Sequence, residues 1–71
     1  MNLEQIKALT YLKNISKPVL ISHFDSDFEP IGKQLRDNLL SEGLILQSGN
    51  FITIDYEEVK ERDSLGWQSN L

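Results

Sequence analysis

The sequence predicts a small α+β domain, and three observations carry that reading. Apolar residues recur at helical spacing over residues 2–15 and again over 28–42. Gly43 follows the second pattern, at the place where a helix stop calls for a left-handed residue. Two β-rich runs, 44–47 and 51–54, then flank Ser48-Gly49-Asn50, a turn cluster that joins them as a two-stranded hairpin. With 71 residues there is room for one domain. A domain of that size buries only ~60% of its unfolded surface, so each apolar cluster is needed for folding.

The first helix is predicted over 2–15. Asn2 stands three residues before Gln5, a capping-box spacing, and Leu3, Ile6, Leu9 and Leu12 follow, with Ala8 and Ile15 flanking them. Ser16 can cap a second helix over 17–24, with Pro18 in its first turn, where the missing N–H costs little. Val19, Leu20, Ile21 and Phe24 supply its apolar face. A brief strand at Val19 to Ile21 is the alternative, because periodicity does not arbitrate so short a run.

Asp25-Ser26-Asp27 reads as a turn, with Asp27 capping a third helix over 28–42 and Pro30 in its first turn. Phe28, Ile31, Leu35 and Leu39 share one stripe of that helix. Gly32 lies at the edge of the stripe and would admit a close neighbour, while Lys33, Gln34, Asp37 and Ser41 face solvent. Leu44, directly after Gly43, is placed to fold back on the last helical turn as the apolar half of a Schellman stop. Asp55 with Glu58 repeats the capping-box spacing and predicts a short helix over 55–62.

Composition narrows the function. No cysteine is present, which excludes a disulfide framework or thiolate metal site and suits a reducing cytoplasm. The N-terminal apolar residues are interrupted by Glu4, Gln5, Lys7 and Lys13, unlike a signal peptide or membrane span. A soluble intracellular protein without a membrane partner is expected. The net charge of −4 is unevenly spread. Residues 1–54 hold five basic against six acidic side chains, whereas 55–71 hold two against five. The division expected is a body, 1–55, and an acidic C-terminal extension, 56–71.

The order helix, helix, turn, helix, glycine stop and hairpin, and above all LLSEGLILQSGNFITID at residues 39–55, resembles the winged helix-turn-helix domain. Leu39 and Leu40 match apolar positions usual at the end of that family's recognition helix, and Gly43-Leu44-Ile45 its entry into the wing. Arg36 stands where many members place an apolar residue, with Leu35 beside it, and the wing tip Gln47-Ser48-Gly49-Asn50 has no cation. The resemblance implies a small bacterial or phage transcription regulator that acts as a dimer. Its third helix would read the major groove of double-stranded DNA.

Lys17, Ser26, Glu29, Lys33, Gln34 and Arg36 are then the candidate DNA-binding residues, with Asp37 added if the register allows. Gln34 suits adenine, Lys33 guanine or phosphate, Glu29 cytosine, and Lys17 phosphate. The same residues also make an ordinary solvated face. Asp25, Asp27 and Glu29 oppose phosphate at the entrance of the reading helix. The alternative is a winged helix that binds another protein. Tyr56, Val59, Leu65 and Trp67 form a candidate stripe for the core, a homodimer or a protein partner. His23 stands alone, and neither a catalytic triad, a two-histidine metal site nor a phosphate-cradling glycine loop is seen. No enzyme, cofactor or metal is expected.

Overall fold

The structure, a computed structural model, describes residues 1–62. It is an α+β arrangement of α1 (Leu3–Ile15), β1 (Val19–Leu20), α2 (Ile21–Asp27), α3 (Gly32–Ser41), β2 (Ile45–Ser48), β3 (Phe51–Ile54) and α4 (Tyr56–Arg62). The strands form one antiparallel sheet in the order β1-β3-β2. Leu65 and Trp67 lie outside the described residues.

At the start of α1 the expected capping box is complete. Asn2 Oδ1 accepts from the Gln5 N–H at 2.8 Å, and Gln5 Oε1 accepts from the Asn2 N–H at 3.0 Å. The buried face is Gln5, Ala8, Leu9 and Leu12. Leu3, expected in the stripe, is instead 65% exposed, because the helical period places it on the side of α1 opposite Gln5, Leu9 and Leu12. Gln5 is buried and still fully bonded, with Nε2 donating to Asn38 Oδ1 at 2.7 Å and to Glu42 Oε2 at 2.9 Å.

The second helix differs from the 17–24 expectation. Ser16 does not cap it; with φ 57° it closes α1, its N–H bonding to the Leu12 carbonyl at 3.1 Å. Pro18 disfavours a helical conformation at Lys17, which bends the chain between α1 and β1. Val19 and Leu20 then pair with Ile52 and Phe51, so the alternative strand exists and the hairpin becomes a three-stranded sheet. The helix starts only at Ile21, whose N–H bonds to the Asn50 carbonyl at the hairpin tip at 2.8 Å. A long-range pairing thus overrides the local helical signal.

The third helix is also shorter than 28–42. Asp27 ends α2 instead of capping α3, and Phe28 to Ile31 form a turn with a cis Glu29–Pro30 peptide. A residue before proline avoids the helical region, which delays the helix to Gly32. At its other end the stop is as expected. Gly43 has φ 75°, its N–H bonds to the Leu40 carbonyl, and the Leu44 N–H bonds to the Leu39 carbonyl. Those two bonds are the Schellman pair, and Leu39 and Leu44 are both fully buried.

The core is Ala8, Leu9, Leu12, Val19, Phe24, Leu35, Leu39, Leu44, Ile45, Ile52, Ile54 and Val59. Beside it Tyr11, Phe24 and Phe28 stack with ring centroids 4.7–6.1 Å apart. Asp55 caps α4 by accepting from the Glu58 N–H at 3.2 Å. Val59 is fully buried and belongs to this core, so it does not share an exposed stripe with Tyr56, which is 47% exposed.

Candidate functional site

Two surfaces follow from this frame: the polar side of α3 and the outer face of the sheet. Helix α3 packs its Leu35 and Leu39 inward, which turns Lys33, Gln34, Asp37 and Ser41 outward, as the helical period requires. Four of the expected site residues, Ser26, Glu29, Lys33 and Arg36, gather around the α2–α3 turn. Ser26 and Glu29 are joined there by a bond from the Glu29 N–H to the Ser26 carbonyl. Gln34 turns toward the N-terminus of α1, into a groove it shares with Asn2, Glu4, Ile31, Leu35 and Asn38. Lys17 is elsewhere, in the α1–β1 connection beside Pro18, Thr53 and Tyr56.

The cations of α3 are committed within the chain. Arg36 reaches across to α2 with a two-pronged contact, Nε to Asp25 Oδ1 and Nη2 to Asp25 Oδ2, both at 2.9 Å. Its side chain is 13% exposed. The Asp25 hydrogen bonds push the guanidinium above its ordinary pKa, against the opposing effect of burial. Lys33 Nζ bonds to Asp37 Oδ2 one turn along at 2.8 Å, which holds the Asp37 carboxyl below its ordinary pKa. Arg36 Nη1 also lies 3.8 Å from Asp37 Oδ1, so Asp25 and Asp37 between them partner both cations of α3. Asp27 accepts the Tyr11 hydroxyl. Burial first, and that bond second, raise the Tyr11 phenol to about 12.

The outer sheet surface is of the opposite character. Because Leu46 lies opposite Thr53, and Phe51 lies opposite both Leu20 and Ser48, these side chains share one face. Leu46 is 53% and Phe51 44% exposed. With Pro18, Gln47, Ser48 and Thr53 they line an open groove of about 730 Å³. The signal was present in the strand alternation: if Ile45, Ile52 and Ile54 point inward, Leu46 and Phe51 cannot.

Among the described residues no group of three or more His, Asp or Glu side chains is placed to hold a metal ion, and no helix is long and apolar enough to cross a membrane. Compared with known proteins, the chain matches no family model, and neither a curated protein nor a solved structure shows significant similarity to it.

Proposed function

We propose that this chain is a winged helix-turn-helix domain that serves as a protein-interaction module, with the apolar outer face of its sheet as the docking surface. The order α1-β1-α2-α3-β2-β3, with a three-stranded sheet closed by a hairpin, supports the winged-helix reading. One observation favours a protein partner over DNA: Arg36, at 13% exposure, is held by Asp25, and the exposed Lys33 sits beside the Asp37 carboxylate. Phosphate binding depends on cations free to displace counterions. The uncharged tip Ser48-Gly49-Asn50 adds none. An exposed apolar strand face rimmed by polar residues is the ordinary character of a protein-docking surface. The absence of cysteine fits work in a reducing cytoplasm.

A second reading, a small transcriptional regulator reading the major groove with α3, is supported by the exposed Lys33 and Gln34 in the N-terminal half of that helix. Titration of the full chain against random and mixed-sequence duplex DNA at low and rising salt separates the two. The interaction-module reading expects no complex even at low salt. A complex whose affinity falls steeply with salt, and which Lys33→Gln weakens, would overturn it in favour of the regulator.

A further inference from the structure

Two adjoining grooves run along the outer sheet face. The larger holds Leu46 and Phe51, the smaller, of about 180 Å³, holds Lys17 and Tyr56, and the two share Pro18 and Thr53. The chain has a net charge of −4, yet no carboxylate of the described residues lines either groove. The one charged side chain along both is the Lys17 ammonium.

Elsewhere on the described surface cations are matched with carboxylates. Lys33, Arg36 and Arg62 are held by Asp37, Asp25 and Glu42. Lys7 shares its groove with Glu4, Asp27 and Glu29, and Lys60 stands among Glu57, Glu58 and Glu61 of α4. Lys17 is exposed and has no ion-pair partner among the described residues. Asp55, next to Tyr56 in the chain, turns its Oδ1 to the Glu58 N–H instead. A ligand complementary to this surface is apolar over Leu46 and Phe51 and anionic at Lys17, where the hydroxyls of Ser16, Thr53 and Tyr56 add donors.

The size of the ligand follows from the sheet. Strands β2 and β3 run four residues each, so the face is roughly 13 Å long and, across three strands, about 10 Å wide. That is far below the roughly 800 Å² each partner of a stable dimer buries, which excludes a second copy held by this face alone. A single extended segment covers it. The two strand spacings between Pro18 and Leu46, about 10 Å, equal roughly three extended residues.

We propose that the outer face takes an extended segment of a partner protein in which an apolar side chain, seated between Leu46 and Phe51, stands about three residues from an aspartate or glutamate that pairs with Lys17. This rests on the reading of the face as a protein-docking surface and adds the chemistry of the partner to it.

Selection from a random peptide library displayed on phage, against the immobilised full chain, tests it. Enriched peptides should carry Asp or Glu about three positions from an aromatic or aliphatic residue. The best of them, made synthetically, should lose roughly two- to fivefold in affinity on Lys17→Gln, the measure of an exposed ion pair. It should lose about tenfold or more on Phe51→Ser and nothing on Lys33→Gln, each variant being checked for retained far-ultraviolet dichroism. Replacing the acid of the peptide by its amide should reproduce the Lys17→Gln loss and add nothing further in that variant. Enriched peptides without an acidic residue, or an affinity untouched by Lys17→Gln, overturn the proposal, while sensitivity to Phe51→Ser then leaves the docking face standing. An affinity untouched by Phe51→Ser places the peptide elsewhere and overturns it, as does a selection that enriches nothing over the bare support. Failure of the interaction reading itself appears separately, as salt-dependent duplex binding that Lys33→Gln weakens.

Discussion

Replacing Gly32 with alanine would put a methyl group where the backbone of α2 already lies. A Cβ built at that position falls 2.6 Å from both the Cα and the carbonyl oxygen of Asp25 and 2.9 Å from its carbonyl carbon. Backbone cannot swing aside as a side chain does, so α2 and α3 must separate. Overpacking a tight contact costs about 1–3 kcal/mol, and contact with main chain puts this case near the upper figure. The offset is small, since the gain of up to ~1 kcal/mol for alanine over glycine applies to a helix interior and Gly32 opens its helix. A net loss of about 2–3 kcal/mol is a large part of the roughly 4–10 kcal/mol that a chain of this length possesses. Urea denaturation followed by far-ultraviolet dichroism gives the number directly. With a slope of about 1 kcal/mol/M the midpoint should fall by about 2–3 M, or the variant should be largely unfolded in water. Lys33→Ala is the control one residue on. It removes only a solvent-exposed pair and should leave the midpoint nearly in place. A Gly32→Ala midpoint no lower than that control would refute the argument that the helices meet backbone to backbone here.

Arg36→Ala should cost about 1.5–3 kcal/mol in the same assay, because it leaves the partly buried Asp25 carboxylate without its two donors. Arg36→Lys should recover less than half of that, since an ammonium cannot span both carboxylate oxygens, and full recovery would show that only the charge matters. The Tyr11 phenol, raised to about 12 from 10.0, titrates later in the folded chain than in the unfolded one. Its contribution to stability is therefore complete below pH 10 and is lost as pH rises through about 12. Absorbance of the phenolate should show a late-titrating tyrosine that Tyr11→Phe removes. Asp27→Asn should move it only part of the way down, because burial is the larger cause; an unchanged high-pH limb in Tyr11→Phe would contradict the assignment.

Legibility followed the range of the interactions. The Asn2–Gln5 capping box, the Gly43–Leu44 stop and the Asp55 cap were readable because each is made by residues within a few positions of one another. For Val19 and Leu20 helix and strand both stayed open, since what makes them a strand is Ile52 and Phe51, more than thirty residues away. The start of α3 was misplaced because Asp27 looked like a free cap, while in the fold its carboxylate serves the Tyr11 hydroxyl. For the site, the residue types on α3 were legible and their partners were not: nothing in the spacing of Asp25 and Arg36 reveals a clamp between two helices.

Sequence by itself determined the α+β class, the Gly43 helix stop and the hairpin turn, for these depend on backbone preferences and short-range hydrogen bonds. Tertiary structure alone decided that Arg36 is spent on Asp25 and that Gln5 is a buried strut between Asn38 and Glu42. It also decided that Val59 belongs to the core, while Leu46 and Phe51 stand outside it. Charge and burial are properties of neighbours, and the chain acquires its neighbours only when it folds.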